Sequence, residues 1–155
     1  ISQACKSHKV EPKRLVMEMT ESVIINKTWK VINVLNKLRQ LGLRLALDDF
    51  GTGYSSLSYL QNMPFNILKI DKSFIDDWNK DSKGSKDTKI VKAIIALANS
   101  LELKIIAEGV ENQHALEQVI LLGAHLFQGY YVSKPLSSEE VLDFMLQYNS
   151  KTTTQ

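Results

Sequence analysis

The residues with the clearest chemical potential are four carboxylates, Glu18, Asp48, Asp49 and Glu108. Carboxylate oxygens are hard ligands of the kind that Mg²⁺ and Mn²⁺ prefer. The chain has a single cysteine, and its three histidines stand far apart in the sequence, so no structural zinc site is predicted. These residue types therefore favour a magnesium or manganese centre.

Asp48 and Asp49 are adjacent, and successive side chains of a strand point to opposite faces. Both can serve one pair of cations only if the strand breaks between them, and the nearby Gly51 and Gly53 permit a sharp turn. Two divalent ions about 4 Å apart activate water and hold the attacking and leaving oxygens of a phosphoryl displacement. Lys69 could hold the nucleophilic water or offset charge on the phosphate. The pattern indicates metal-assisted hydrolysis of a phosphoester.

Five short apolar segments predict strands, and helical segments separate them. The predicted strands are 15–19, 43–48, 67–70, 104–107 and 124–128. The predicted helices are 27–41, 57–63, one capped by Thr88, 112–122 and 139–148, with a loop or frayed helix start over 76–89. Each connection is long enough for a right-handed crossover. The sequence therefore predicts an α/β chain with a parallel sheet.

A polar residue lies at the C-terminal end of every predicted strand, two positions after an apolar residue on the same face. These residues are Glu18, Asp48, Lys69, Glu108 and Gln128. In a barrel wall they would point inward at one rim, and active sites of βα barrels lie at that rim. Open parallel sheets also bind ligands beyond the carboxyl ends of their strands. One polar strand end is ordinary, but five in matching positions predict a common site.

Several other functions are disfavoured by the composition. The net charge of +2 and the scattered lysines do not predict binding to a DNA or RNA polymer. The Gly51-Thr52-Gly53 turn lacks the full dinucleotide-binding pattern, and the two preceding carboxylates would repel pyrophosphate. The lone Cys5 excludes an internal disulfide and fits a reducing cytoplasm. No apolar run reaches the roughly 18 residues of a spanning helix.

Five blocks of the sequence resemble, in order, the motifs of the EAL-type cyclic di-GMP phosphodiesterases. The blocks are Met-Glu-Met-Thr-Glu-Ser at 17–22, Asp-Asp-Phe-Gly-Thr-Gly-Tyr-Ser-Ser at 48–56, Leu-Lys-Ile-Asp-Lys-Ser-Phe-Ile at 68–75, Ala-Glu-Gly-Val-Glu at 107–111 and Gln-Gly-Tyr at 128–130. The resemblance covers nearly the whole chain. It implies a TIM-type (βα)₈ barrel that hydrolyses one phosphodiester bond of cyclic di-GMP, giving linear pGpG, with Mg²⁺ or Mn²⁺.

The resemblance also implies roles for the four carboxylates and the lysine. Glu18, Asp48 and Asp49 would be metal ligands, with Asp48 bridging the two ions and Asp49 on the second. Lys69 would contact the hydrolytic water. Glu108 would act as a metal ligand or as a base beside that water.

Three further residues match the family's motifs. By resemblance, Glu21 would brace the loop after Asp49, Gln128 would order the site, and Glu111 would support it. The resemblance therefore implies a catalytic set that agrees with the strand-end pattern in every strand.

Two features of the family are missing from these residues: the Glu-Ala-Leu segment and an Asn on a following strand, both of which precede the first block. The family's domain is also longer by roughly three strands. The chain is thus expected to be the C-terminal portion of an EAL domain over 1–148, an incomplete barrel of about five βα units, with a disordered tail at 149–155. Its two open sheet edges predict a homodimer or other self-association and impaired activity of the isolated chain.

Three functions remain open at this point. The parent protein is an enzyme that hydrolyses cyclic di-GMP, or it is a degenerate EAL domain that binds the dinucleotide in signalling without cutting it. A third interpretation is a structural role as a dimer partner. The parent is expected to be cytoplasmic, with a membrane tether left open, and fused to sensor or diguanylate cyclase-like domains.

Overall fold

The computed structural model describes residues 1–21, 29–52, 57–79 and 86–152, which form one parallel sheet and the helices that connect its strands. The strands lie in the order β1 to β5 across the sheet. They are β1 (Val16–Thr20), β2 (Arg44–Phe50), β3 (Ile67–Ile70), β4 (Lys104–Glu108) and β5 (Leu126–Gln128). Since each strand pairs in parallel with the preceding one, every connection is a crossover. The predicted α/β class and the incomplete βα barrel are confirmed.

Helices connect the strands, as the sequence predicted. They are α1 (Ser2–Ser7), α2 (Trp29–Gln40), α3 (Leu57–Asn62), α4 (Asp76–Asn79), α5 (Lys86–Ser100), α6 (Gln113–Leu121) and α7 (Ser138–Thr152), with single 3₁₀ turns at Pro12–Arg14 and Lys72–Phe74. Gly42 and Gly123 follow α2 and α6 with φ of +96° and +94°. They are left-handed residues of the kind that end a helix, and each follows a predicted helix end, at 41 and 122.

The core lies between the helices and one face of the sheet. Alternate residues of β2, β3 and β4 fill it, namely Leu45, Leu47, Leu68, Ile70, Ile105 and Ala107. Four of these side chains are completely buried, namely Leu45, Leu68, Ile70 and Ile105. Burying each of them stabilises the folded state by roughly 1.5–3 kcal/mol. Side chains alternate across a strand, so the intervening residues Asp48, Lys69 and Glu108 point to the other face. Core packing thus determines which face carries the charged residues.

Two of the differences from the predicted boundaries have a tertiary cause. Strand β2 continues past its predicted end at Asp48 to Phe50, because the chain pairs with β3 again after a bulge. Thr88 does not cap α5, which begins earlier, at Lys86. Its hydroxyl instead accepts a hydrogen bond of 3.1 Å from the indole Nε1 of Trp78. That contact joins α4 to α5 and cannot be read from local sequence.

The last helix begins at Ser138, one residue before the predicted start at 139. Ser137 Oγ accepts from the N–H of Glu140 at 3.3 Å, and the N–H of Ser137 donates to Glu140 Oε2 at 2.8 Å. This reciprocal pair is a capping box. Helix α7 runs to Thr152, so the predicted tail at 149–155 begins inside the helix. Residues 153–155, Gly53 and the predicted helix start at 27–28 lie outside the described residues.

Among the described residues, no helix combines the length and apolar character that a membrane crossing requires.

Candidate metal centre and catalytic site

The ammonium group of Lys69 lies at the centre of the charged residues. Its Nζ is 2.8 Å from Glu18 Oε2, 2.9 Å from Asp48 Oδ1 and 2.6 Å from Glu108 Oε1. Lys69 is 4% exposed, which is unusual for a lysine without charged partners. The structure therefore brings together four of the five strand-end residues predicted from the sequence.

The strand register explains this convergence. Thr20 of β1 is level with Asp48 of β2, and Glu108 of β4 is level with Gln128 of β5. Lys69 of β3 pairs with Ile106, two residues before Glu108. Neighbouring strands lie about 4.8 Å apart, so side chains from β1, β2 and β4 all come within reach of a long lysine on β3. The centre is built from contacts between strands that are distant in sequence.

The three carboxylates raise the proton affinity of Lys69. Burial by itself lowers the pKa of the ammonium, but hydrogen bonds to Glu108, Glu18 and Asp48 outweigh it and raise the pKa above the ordinary value. Lys69 is therefore positively charged throughout the neutral range. A charged lysine offsets the carboxylates and is not available as a base.

Asp48 and Asp49 point toward the same region because the backbone breaks at Asp49. Asp49 has a φ of +54°, a left-handed conformation that is uncommon for a residue other than glycine. The pairing of β2 with β3 shifts at this point, between Leu47 and Phe50. The carboxylate Oδ1 of Asp48 accepts from the N–H of Asp49 at 3.1 Å, which holds the bulge. The break required for two adjacent ligands is therefore present, at Asp49, two residues before Gly51.

The carboxylates of Asp48, Asp49 and Glu108 fit a divalent cation. One oxygen from each lies within 4.8 Å of the others. Burial, followed by the charges of Asp48 and Asp71, raises the pKa of Asp49. Burial also raises the pKa of Glu108, although Lys69 opposes that effect. Negative charges held this close favour a bound cation, and an all-oxygen donor set suits a hard divalent ion.

Glu18 stands slightly apart from this group. Its carboxylate is paired with Lys69, and its side chain is 47% exposed. Of the four predicted metal ligands, only Glu18 lies outside the cluster of three carboxylates found among the described residues. Its role as a ligand stays a prediction.

Glu21 is attached to the turn that follows the aspartates. It is 3% exposed, and its Oε2 accepts from the N–H of Gly51 at 3.0 Å. Gly51 has a φ of +100°, and a Cβ there would lie 2.9 Å from the ring of Phe74. A buried carboxylate bonded to a glycine amide holds this turn beside Asp49, which is the position that a loop brace requires.

Gln128 and Glu111 lie in a groove beside the acidic centre. The groove has a volume of about 540 Å³, and Glu108 forms the wall nearest the centre. Two cations also line it, Lys72 and Lys134, and the latter lies 5.9 Å from the ring centroid of the exposed Tyr130. A groove with two lysines and an exposed tyrosine, next to carboxylates that could hold a metal ion, suits a phosphate ester that carries an aromatic base.

Asp71 belongs to the site although its own role was not predicted. The carboxyl groups of Asp49 and Asp71 are close enough to hydrogen bond and to raise the pKa of Asp49. Asp71 Oδ1 also accepts from the N–H of Ser73 at 2.9 Å and so is fixed at the start of the 3₁₀ turn. Asp71 shares parity with Lys69 but lies one residue past β3, where strand alternation no longer applies. The two-residue spacing from Lys69 was the available signal.

Comparisons with known proteins agree with this geometry. The sequence model of the EAL domain family matches residues 1–135. The bifunctional diguanylate cyclase/cyclic di-GMP phosphodiesterase MucR of Pseudomonas aeruginosa is 40% identical over 142 residues, which are 92% of this chain and 20% of that protein. The chain thus spans about a fifth of the length of this curated relative.

Two solved structures extend the comparison to three dimensions. The MucR phosphodiesterase in complex with c-di-GMP superposes with a TM-score of 0.83 at 40% identity, covering 90% of this chain and 55% of that one. Klebsiella pneumoniae BlrP1 in a manganese and c-di-GMP complex gives a TM-score of 0.78 at 30% identity, covering 86% of this chain and 33% of that one.

Proposed function

Because the chain belongs to the EAL domain family, we propose that its parent domain hydrolyses one phosphodiester bond of cyclic di-GMP to linear pGpG with Mg²⁺ or Mn²⁺. The observation that carries the proposal is the group of three carboxylates, Asp48, Asp49 and Glu108, with oxygens within 4.8 Å of one another at the carboxyl ends of the strands. The relatives named as phosphodiesterases and the neighbour with bound manganese and c-di-GMP support it.

Each side chain then has a defined task. Asp48, Asp49, Glu108 and Glu18 would hold the metal ions, which when bound supply an activated water and stabilise charge on the phosphate. Lys69 stays protonated; Glu18, Asp48 and Glu108 take its three N–H donors in this structure, and a donor released when metal ions engage those carboxylates would contact the hydrolytic water. Its positive charge offsets the build-up of negative charge in the transition state.

The surrounding residues would orient the substrate. Lys72 and Lys134 lie where they can contact phosphate or base oxygens, and Tyr130 offers a face for stacking. Gln128 and Glu111 line the same groove and present hydrogen-bonding groups to the substrate.

The test is product analysis with the full-length parent protein, cyclic di-GMP and Mn²⁺, with separation of pGpG by chromatography. Asp48→Asn, which retains shape but loses the ligand charge, is expected to reduce turnover at least a hundredfold. Lys92→Gln removes a charge from the exposed face of α5 and serves as the matched control with unchanged turnover. Absence of pGpG from the unaltered parent, with Mg²⁺ or Mn²⁺ present, contradicts the proposal.

A non-catalytic binding module is the second candidate. It is favoured by the three ion pairs of Lys69, because the ammonium already supplies a cation to these carboxylates. Binding of cyclic di-GMP by the parent without formation of pGpG would select this candidate.

The context of the domain is also proposed. The parent is expected to be cytoplasmic and fused to sensor or diguanylate cyclase-like domains, as the name of MucR suggests for that relative.

Strands β1 and β5 each pair with one neighbour in the described sheet, so the isolated chain is expected to self-associate, with a homodimer as the simplest form. Light scattering of the purified chain measures this; a monomer with full turnover would contradict both self-association and impaired activity.

A further inference from the structure

A second group of charged residues lies at the opposite end of the strands from the acidic centre. Arg44 is the first residue of β2, and Lys104 is the first residue of β4. Arg44 precedes Asp48 by four residues, which places their Cα atoms about 13 Å apart at roughly 3.3 Å per residue. This N-terminal rim is therefore separate from the proposed catalytic site.

The rim contains a groove of about 360 Å³ between β2, β3 and β4. Three cations line it, Arg39, Arg44 and Lys104, together with Asn66 and a single carboxylate, Glu102. An adjoining groove of about 620 Å³ shares Arg39 and adds Lys37 and three amide side chains. The four cations and one carboxylate leave an excess of three positive charges on this face. That excess is larger than the +2 of the whole chain.

Within the described part of the chain, these four cations have no carboxylate within 4.0 Å, since every ion pair found there involves Lys13, Arg14 or Lys69. Arg39 donates one long hydrogen bond, 3.4 Å, to the carbonyl of Pro64. This contact holds the guanidinium at the groove. The charges are therefore available to an external partner.

Asn66 adds a positioned donor to the groove. Its Oδ1 accepts from the N–H of Leu45 at 3.0 Å, which fixes the orientation of the amide. The Nδ2 group donates to none of the described residues and lies at a groove-lining position. The backbone N–H of Lys104 is occupied by the carbonyl of Asn66 at 2.9 Å, so recognition here depends on side chains.

We propose that this cationic rim, defined by Lys37, Arg39, Arg44, Asn66 and Lys104, binds an extended acidic peptide segment of a partner protein. Charge complementarity supplies the argument, because guanidinium groups and carboxylates form directed, paired hydrogen bonds. The two grooves share Arg39, and charged and amide side chains outnumber apolar ones in their combined lining. Sites for small molecules are instead enclosed and mostly apolar.

The probe is a fluorescein-labelled octapeptide of alternating Glu and Asp, titrated with the 155-residue chain and followed by fluorescence anisotropy. Binding is expected at about 50 mM salt and should weaken steeply toward about 300 mM, because exposed charges are screened. The variant Arg44→Gln/Lys104→Gln is expected to weaken binding roughly three- to tenfold, the effect of losing two exposed ion pairs.

Two further variants separate a specific rim from general charge attraction. Lys89→Gln/Lys92→Gln removes the same charge from exposed positions of α5 and should leave the affinity nearly unchanged. Glu102→Gln removes the carboxylate from the groove and should strengthen binding. Circular dichroism of every variant confirms an intact fold before binding is compared.

The proposal is overturned if the α5 double variant weakens binding as much as the rim double variant, or if Glu102→Gln has no effect. It is also overturned if the peptide does not bind at low salt. Inorganic tripolyphosphate is the competing probe. If it binds in a way that depends on Arg44 and Lys104 while the peptide does not, the rim is a phosphate site and not a peptide site.

Discussion

Replacing Lys69 by methionine removes the ammonium shared by Glu18, Asp48 and Glu108 while keeping the length of the side chain. The three carboxylates then face one another at the carboxyl ends of the strands without a counter-charge. We expect Lys69→Met to destabilise the metal-free protein strongly. The same variant should bind a divalent cation more tightly, because the ammonium no longer occupies the carboxylates that the cation would use.

The magnitude follows from burial. Removing one partner of a buried ion pair costs about 3–5 kcal/mol. Lys69 is 4% exposed, but the side chain of Glu18 is 47% exposed and regains water when the ammonium is lost. The lower end of the range, about 3 kcal/mol, is therefore expected. For a chain of this length that corresponds to a decrease in Tm of roughly 6–12 °C.

The assay is thermal unfolding followed by circular dichroism, first in EDTA and then with increasing Mn²⁺. Mn²⁺ at about 100 times its Kd adds about 2.7 kcal/mol to a folded state that binds it. The variant should therefore recover most of its lost stability, and its gain should exceed that of the unaltered chain. Lys92→Met removes an exposed lysine from α5 and is the control, with a change below about 0.5 kcal/mol.

Two results would refute this reasoning. A Tm for Lys69→Met in EDTA equal to that of the unaltered chain would mean that the three ion pairs do not stabilise the fold. Equal stabilisation of both proteins by Mn²⁺ would mean that the ammonium and the cation do not share ligands. A further check is the double variant Lys69→Met/Glu108→Gln, which removes one repelling carboxylate and should be more stable in EDTA than Lys69→Met.

Three other substitutions test the supports of the site and the last helix. Gly51→Ala places a Cβ 2.9 Å from the ring of Phe74 at a φ of +100°. The free energy of unfolding, measured in urea, should therefore fall by about 1–3 kcal/mol. A decrease below about 0.5 kcal/mol would contradict this expectation. Glu21→Ala removes the acceptor of the Gly51 N–H, so that amide hydrogen should exchange with solvent faster. The free energy of unfolding should fall by about 1–3 kcal/mol. An unchanged exchange rate would show that Glu21 does not hold the turn. The N–H of Ser137 lowers the pKa of Glu140, so its stabilisation of the start of α7 is present at neutral pH and is lost as pH falls through that lowered pKa. The measurement is the protection of the Ser137 amide hydrogen from exchange as a function of pH. Glu140→Gln should abolish the loss of protection at low pH, and a loss that persists in the variant would come from another titrating group.

Local sequence determined much of the fold, because the relevant interactions are between near neighbours. Strand β3 has the predicted bounds, Ile67–Ile70, and helices α2 and α6 stop at glycines with positive φ. Asn112, the predicted first residue of α6, caps the helix by accepting from the N–H of Ala115 at 2.9 Å, and the helix begins one residue later, at Gln113. Periodicity, capping and glycine conformation all act within a few residues, so they are visible in the sequence.

Strand alternation also determined which residues could share a site. A period of two places Asp48, Lys69 and Glu108 on one face wherever the strands lie in the sheet. It could not say which residue would be central. Lys69 lies at the centre because the parallel register brings carboxylates from β1, β2 and β4 around β3. Register depends on packing between segments that are tens of residues apart.

Tertiary structure decided the rest for the same reason. The left-handed conformation of Asp49, the engagement of Thr88 by Trp78 and the approach of Asp71 to Asp49 depend on residues outside each local segment. The cationic rim also requires the N-terminal ends of β2 and β4 to flank β3. The sequence by itself determined the chemical groups and the faces they occupy, because alternation is a local property of the backbone. Distances, counter-charges and grooves were decided by the assembled sheet, because they arise between strands.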